Sequence, residues 1–127
     1  MNKNENSINW FEIPALSMQK SKLFYETIFD VTMETSMMDD TEMAFFPWNP
    51  GNRLANGALA KSPNHSPGVH GSVIYLNANP NLRTVVDKIN TAGGRVTIPE
   101  MDVGEHGFTA FFIDPAGNNI GLHADSL

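Results

Sequence analysis

The fold of this chain is decided by FFIDPAGN at residues 111–118 and by FFPWNPGN at residues 45–52. The two stretches are identical at four of eight positions and lie 66 residues apart (111 − 45 = 66). In each, an apolar run leads into a cluster of Pro, Gly and Asn, which is typical of a strand that ends in a tight turn. In the later stretch Pro115 presets φ, Gly117 can adopt a positive φ, and Asp114 can bond the turn backbone.

Around residues 45–52, the first half of the chain reads as one strand, one helix and three strands. The helix is predicted to be capped by Ser17 and to end near Asp30, because Phe24 and Ile28 lie four residues apart on one face. The predicted strands of this half are residues 8–14, 31–37, 42–48 and 55–61.

The second half repeats this order after a linker at residues 62–71 that is rich in Pro, Gly, Ser and His. Leu82, Val85, Val86 and Ile89 are spaced as the apolar stripe of a helix, and Gly93 supplies a left-handed stop. The predicted first strands of the two halves, at residues 10–14 and 73–77, lie at an offset of 63 (73 − 10 = 63), close to the offset of the turn motifs. The predicted strands of this half are residues 72–77, 95–99, 109–114 and 119–123.

This internal repeat predicts an α+β fold built as one domain from two βαβββ modules, at about residues 8–61 and 72–124. Each module has one helix for four strands, so one face of its sheet is covered and the other is open. We expect the two mixed sheets to curl into a shared cup. A concave apolar surface of this kind is the default site for a small-molecule ligand.

Composition restricts the partners and the location of the protein. The 127 residues include no cysteine and carry a net charge of −6, with 41% apolar residues. The negative charge disfavours nucleic acid and anionic membranes, and no apolar run is long enough to cross a bilayer. The polar N-terminal residues lack the apolar region of a secretory signal, so we expect a cytoplasmic protein in a reducing compartment.

The chain resembles the superfamily of glyoxalases, bleomycin-resistance proteins and dioxygenases, also called the vicinal oxygen chelate superfamily. The resemblance rests on WFEIP at residues 10–14, FYETIF at 24–29, GAL at 57–59 and FIDPAGN at 112–118. It extends over nearly the whole chain, and its order and spacing agree with the internal repeat. The resemblance implies a glyoxalase-like cup for small molecules and pairing of chains into a homodimer.

The resemblance also implies where a divalent metal would bind. Metal-dependent members use a His that opens the first strand, a His that opens the first strand of the second half, and a Glu just after the hairpin. In this chain the corresponding positions hold Trp10, Val73 and Gly121. None of these side chains offers the imidazole nitrogen or carboxylate oxygen that such sites use, so we expect no metal cofactor.

Strand alternation nominates the side chains that face the cup. Phe11 and Ile13 should lie under the first helix, which leaves Glu12 as a polar group on the open face. Glu12 could act as a general base or could bind a cationic or hydroxyl-bearing ligand; alternatively, it could cap a backbone amide or pair with Arg53 or Arg95. The complete predicted ligand-binding cup consists of Trp10, Glu12, Val73, Tyr75, Asn77, Phe111, Gly121 and His123.

Three functions remain open at this point. The first is a metal-independent small-molecule binding protein with Glu12 as its polar anchor. The second is a metal-dependent lyase, isomerase or dioxygenase whose ligands have moved to Glu12, His123 and one of His70 or His106. The third is an interaction module whose sheet is covered by another chain.

Two further segments could contribute to the cup. Residues 101–107 could form a mobile lid over the cup, because Gly104 and Gly107 would supply hinge freedom on both sides of its centre. The alternative is an ordinary hairpin loop between two strands. The methionines between Met33 and Met43 would form an adaptable wall if they face the cup, or part of a dimer surface if they do not. His65 is assigned to the linker and to no site.

Overall fold

A computed structural model describes all 127 residues of the chain. The first half contains β1 (Trp10–Pro14), α1 (Met18–Phe29), β2 (Glu34–Met38), β3 (Thr41–Phe45) and β4 (Asn56–Lys61). The second half contains β5 (Tyr75–Asn77), α2 (Leu82–Ala92), β6 (Arg95–Asp102), a 3-10 turn (Gly104–His106), β7 (Phe108–Ile113) and β8 (Asn119–Ala124). The predicted βαβββ order is thus present twice.

The strands form two separate four-stranded sheets, in the orders β1-β4-β3-β2 and β5-β8-β7-β6, and do not close into a barrel. Each sheet is mixed, because β1 runs parallel to β4 and β5 parallel to β8, whereas the other neighbours are antiparallel. The predicted α+β class, with two βαβββ modules in one chain, is therefore confirmed.

The two helices begin and end where the sequence predicts. The Ser17 side chain accepts a hydrogen bond from the Lys20 amide at 3.3 Å, and Asp30 ends α1 with a φ of 53°. In α2 the four apolar residues of the predicted stripe are all buried, and Gly93 ends the helix with a φ of 112°. Such a φ is accessible to glycine at little cost.

A common core joins the two halves. Twenty-one buried apolar residues from both sheets and both helices form one cluster. Phe24 of α1 lies 5.7 Å from Phe112 of β7, measured between ring centroids. Because the helices cover one face of each sheet, the opposite face carries no helix, and we call it the open face.

The turn motif at residues 114–118 bonds its own backbone and also connects the halves. The buried Asp114 carboxylate accepts hydrogen bonds from the amides of Ala116 (3.0 Å) and Asn118 (2.9 Å), as predicted. It also accepts one from the Tyr25 hydroxyl at 2.8 Å, and Asn118 Nδ2 donates to the carbonyl oxygen of Pro14 at 2.7 Å. Burial, followed by the charge of Asp114, raises the pKa of Tyr25 well above its usual value.

Four strand boundaries differ from the predictions by three residues, and several others differ by one or two. The strand predicted at residues 72–77 begins only at Tyr75, so the prediction that Val73 lies in a strand is wrong. Only three residues of this segment pair with β8, and Val73 belongs to the end of the linker. The strand predicted to begin at residue 31 begins at Glu34.

The third predicted strand ends at Phe45, which leaves Trp48 in a loop. Pro47 lacks the amide hydrogen that a longer ladder would need. Conversely, β6 continues past Pro99 to Asp102, with register shifts between Val96 and Ile98 and again between Ile98 and Met101. An edge strand tolerates a proline at such irregularities.

Neither α1 nor α2 is long and apolar enough to cross a membrane.

Candidate functional site

The open face of the first sheet carries a recess that centres on Glu12. Glu12 and Phe45 both pair with Ala58 of β4, which places them on either side of a small residue on the same face. The recess has a volume of about 360 Å³. We call it the Glu12 recess, and it is lined by Trp10, Glu12, Met38, Thr41, Met43, Phe45, Trp48 and His65.

Aromatic rings form the walls of the Glu12 recess. The Trp10 ring lies 5.9 Å from Phe45 and 6.3 Å from Trp48, with interplanar angles of 60° and 70°. Trp10 and Trp48 remain 37% and 51% exposed. Edge-to-face contacts of this type hold the rings in place and leave part of their surface free for a ligand.

The Glu12 carboxylate is oriented by two donors. Trp10 Nε1 donates to Glu12 Oε2 at 3.2 Å, and His65 Nε2 donates to Oε1 at 2.8 Å. Because a carboxylate only accepts, the His65 proton lies on Nε2, and Nδ1 can accept from the Ser62 hydroxyl at 2.6 Å. The Glu12 side chain is still 35% exposed, so the carboxylate can reach a ligand.

The partner of Glu12 differs from the sequence-based expectation. The structural alternative to a ligand-binding role was a bond to Arg53, Arg95 or a backbone amide, whereas in the structure the partners are the side chains of His65 and Trp10. A turn after β4 places this histidine: the Asn64 amide donates to Ser62 Oγ at 3.0 Å, and the His65 amide donates to the Ser62 carbonyl oxygen at 3.2 Å. The linker therefore reaches back over the sheet.

The predicted residues of the second half form a separate group. Tyr75 and Phe111 both pair with Gly121, just as Glu12 and Phe45 pair with Ala58 in the first half. The rings of Tyr75 and Phe111 lie 5.5 Å apart. Val73, Tyr75 and Asn77 line a groove of about 720 Å³ beside residues of the first half.

His123 is engaged in the same sheet. It pairs with Asn77 and Thr109, and its Nε2 donates to the carbonyl oxygen of His106. Phe111, Gly121 and His123 line neither the Glu12 recess nor the groove at Val73. The eight predicted cup residues are therefore divided between two regions of this chain, and only Trp10 and Glu12 lie in the Glu12 recess.

A small recess of about 220 Å³ lies under the linker, where the two sheets approach each other. It brings Glu12 and Pro14 close to His70 and Asn119. Glu12 therefore contributes to two neighbouring recesses, on either side of β1.

The residues at the superfamily's metal positions do not fit a divalent ion. Trp10 uses its indole nitrogen as a donor to Glu12, and Val73 offers no ligand atom. Gly121 lies against the Tyr75 ring so closely that an added Cβ would be 2.6 Å from Tyr75 Cδ1. No room for a longer ligating side chain exists there without displacement of the ring.

The alternative metal-ligand set considered from the sequence, Glu12 with His123 and either His70 or His106, also does not come together in the structure. Glu12 bonds His65, His123 bonds the backbone of His106, and no three His, Asp or Glu side chains converge in the structure.

The methionines between Met33 and Met43 and the loop at residues 101–107, which sequence suggested as further parts of the cup, take different positions in the structure. Met38 and Met43 line the Glu12 recess, whereas Met33 is buried in the core and Met37 is exposed on the edge strand β2. Residues 104–106 form a 3-10 turn between β6 and β7, and the Val103 amide donates to the Gly107 carbonyl oxygen at 3.0 Å. This is the geometry of a hairpin connection.

Two mixed sheets from repeated βαβββ modules, with an aromatic recess on an open face, define a small glyoxalase-like protein. The sequence model of the Glyoxalase/Bleomycin resistance protein/Dioxygenase superfamily matches residues 7–122. The chain belongs to this superfamily, as its sequence resemblance indicated.

Individual relatives are distant in sequence. Proteins of Mycobacterium bovis and Mycobacterium tuberculosis that bear the name "Putative glyoxylase CFP32" are 24% identical over 127 residues. The alignment spans 90% of this chain but only 44% of those proteins, so the chain is less than half their length.

Solved structures support the fold. A glyoxalase/bleomycin resistance protein from Albidiferax ferrireducens superposes with a TM-score of 0.66 at 17% identity, over 94% of this chain and 98% of that one. The trypanothione-dependent glyoxalase I of Leishmania major gives a TM-score of 0.67 at 16% identity, over 95% of this chain and 88% of that one. At these identities the similarity establishes the fold alone.

Proposed function

We propose that this protein binds a small molecule in the Glu12 recess, without a resident metal ion, and that Glu12 is the polar anchor. The observation that carries the proposal is the partly exposed Glu12 carboxylate, which is held by Trp10 and His65 at the base of aromatic walls. A few oriented polar groups in a mainly apolar recess are the usual composition of a small-molecule site.

Several features favour binding over metal-dependent chemistry. The side chains at the three superfamily ligand positions offer no carboxylate or imidazole. In the alternative set, Glu12 shares a recess with His70, but His123 bonds the backbone of His106 and no three ligands converge. The lyase, isomerase or dioxygenase alternative would therefore require His123 to leave the His106 carbonyl oxygen and to approach Glu12.

A fragment screen tests the proposal directly. Trp10 and Trp48 are the two tryptophans of the chain and both line the recess, so intrinsic fluorescence reports on ligands there. We expect fragments that change this fluorescence also to raise the melting temperature, because a ligand stabilises the state that binds it. Trp48→Leu should weaken the binding of these fragments, whereas Tyr75→Leu, on the other sheet, should leave their binding unchanged. Fragments that stabilise the protein equally in both variants would place the site elsewhere.

We also propose that the protein is a cytoplasmic homodimer. The edge strand β2 is exposed at all five residues, and each sheet ends in strands that have a free edge. Edges of this kind, together with exposed apolar side chains, favour pairing with another chain. The absence of cysteine is consistent with a reducing compartment.

A further inference from the structure

The Glu12 recess has the features of a site for a cation. Two of its aromatic walls, Phe45 and Trp48, are inclined to the third, Trp10, at interplanar angles of 60° and 70°. A ligand between them would therefore contact the faces of some rings and the edges of others. Ring faces carry a negative quadrupole and attract a positive group.

The charged groups around the recess also favour a positively charged ligand. Glu12 is the one carboxylate in the lining, and neither Lys nor Arg lines the recess. The whole chain carries a net charge of −6. A ligand with a negative group would therefore meet a carboxylate that accepts hydrogen bonds from Trp10 and His65 but has no Lys or Arg beside it in the lining. A positive group would gain from both the carboxylate and the rings.

The remaining wall favours an organic cation over a metal ion. Met38 and Met43 present thioethers and methylene groups, and the hydroxyl of Thr41 is the other side-chain oxygen beside Glu12. Hard cations such as Mg²⁺ and Ca²⁺ require six or more oxygen ligands, including water. Flexible thioether side chains instead adapt to alkyl groups.

We propose that the ligand of the Glu12 recess is a small organic cation with an alkylated ammonium group. The ammonium group packs against Trp10 and Trp48 and faces the Glu12 carboxylate, while its alkyl substituents contact the methionines. His65 bonds one carboxylate oxygen of Glu12 and Trp10 bonds the other, which keeps the carboxylate oriented. This inference rests on the proposed function, since it names the ligand class of the same recess.

Three probes of nearly equal shape test the charge preference. Choline, the neutral 3,3-dimethylbutan-1-ol and the anionic 3,3-dimethylbutanoate share a branched head of the same size and differ in charge. Each is titrated at constant ionic strength, with tryptophan fluorescence as the signal. We expect choline to bind about tenfold or more tightly than the alcohol and the anion to bind least, as a cation–π contact plus a carboxylate predicts.

Matched variants assign this preference to the recess. Glu12→Gln should weaken choline binding about tenfold and leave the alcohol unchanged, because only the charge is removed. Glu105→Gln removes a carboxylate whose side chain is 88% exposed in the turn after β6, and it should leave all three affinities unchanged. Trp48→Leu, a change in an exposed loop side chain, should weaken choline more than the alcohol.

The outcomes separate this inference from the proposed function. Equal or tighter binding of the alcohol, or an equal loss of choline affinity in Glu12→Gln and Glu105→Gln, would overturn the cation preference. If no probe binds but neutral or anionic fragments change the tryptophan fluorescence, the cation inference fails and the proposed function stands. If neither the probes nor any fragment does so, both fail.

Discussion

Glu12 is more closely constrained than its place on an open sheet suggests. It accepts hydrogen bonds from Trp10 and His65, yet it keeps 35% of its side-chain surface in solvent. Partly exposed pairs of this kind contribute little to stability, because water screens the charges. Its role in folding should therefore be small compared with its role in a ligand site.

We predict that Glu12→Gln lowers the free energy of unfolding by less than about 1 kcal/mol. The amide oxygen of the glutamine can still accept one of the two hydrogen bonds, and water can reach the other donor because the site is partly exposed. Urea unfolding of wild type and variant measures the difference. A loss of several kcal/mol would mean that Glu12 holds the linker in place and is primarily structural.

Glu26 provides a contrasting case, because its carboxylate stabilises local structure. It accepts from the Met33 amide at 2.8 Å and from Lys22 Nζ at 3.1 Å, and so joins α1 to the segment that leads into β2. The Met33 amide first, and Lys22 after it, lower the pKa of Glu26 from its ordinary value of 4.5.

We predict that Glu26→Gln lowers stability by about 1 kcal/mol at neutral pH, because a charge-assisted bond becomes a neutral one. A lowered folded-state pKa gives a contribution that is complete above the unfolded value of 4.5 and is lost as the pH falls through the folded pKa. The difference between wild type and variant should therefore shrink below pH 4.5. Urea unfolding across this range measures it, and a difference that is independent of pH would contradict the assignment.

At the scale of elements, two glycines in the central strands are covered by aromatic rings. A Cβ at Gly57 of β4 would lie 2.4 Å from the backbone oxygen of Phe11 in β1. A Cβ at Gly121 of β8 would lie 2.6 Å from Cδ1 of the Tyr75 side chain in β5. The first contact involves backbone in a paired strand, whereas the second involves a ring that is half exposed.

We predict that Gly57→Ala destabilises the protein more than Gly121→Ala, by about 3 kcal/mol against about 1 kcal/mol. The Phe11 carbonyl cannot move without separation of β1 from β4, but the Tyr75 ring can rotate towards solvent. Tyr75→Ala should remove most of the cost of Gly121→Ala and none of that of Gly57→Ala. Chemical unfolding of the single and double variants measures these losses of stability. A larger loss for Gly121→Ala than for Gly57→Ala would contradict the prediction.

The helices, strands and turns also show which parts of the structure could be predicted from the sequence. The α2 stripe, the Ser17 cap and the Asp114 turn depend on residues a few positions apart, and all three are present. Strand alternation correctly placed Glu12 on the open face, since it is equally local. Local patterns were less informative about strand ends, and the segment at Val73 does not pair with β8.

The missing part of the site is a long-range contact. His65 lies 53 residues from Glu12, and it reaches the carboxylate only because the linker folds back over the first sheet. No spacing rule pairs a linker histidine with a carboxylate on a distant strand. The aromatic run at residues 45–48 is visible in the sequence, but there it predicts only a strand; Phe46 is buried, while Phe45 and Trp48 line the recess.

At the scale of the whole molecule, the repeat explains why a metal site need not accompany the fold. The fold depends on buried apolar stripes and turn motifs, whereas a metal would depend on a few open-face positions that hold Trp10, Val73 and Gly121. We predict that the purified and dialysed protein contains no stoichiometric divalent metal. Elemental analysis that finds about one Zn, Fe, Ni or Mn per chain would contradict this, because such sites need several protein ligands.

The last prediction concerns assembly. Large apolar side chains remain exposed on the isolated chain, among them Leu16, Leu23, Met37, Leu54 and Tyr75. The edge strand β2 also leaves backbone donors and acceptors free for another chain. Two-fold pairing of identical chains would cover such surfaces with a single type of contact, and it is the most frequent symmetric solution.

We therefore expect light scattering in the micromolar range to return twice the 14.0 kDa mass of one chain. A lysine at Met37, on the exposed edge strand, should shift the protein towards the monomer if β2 lies in the interface, because charged side chains on edges oppose pairing. Lysine in place of Gln19, an exposed polar residue of α1, is the matched control for a general effect of charge. A wild-type mass of one chain at all concentrations would contradict the dimer. A dimer that both variants leave intact would show that the interface lies on other surfaces.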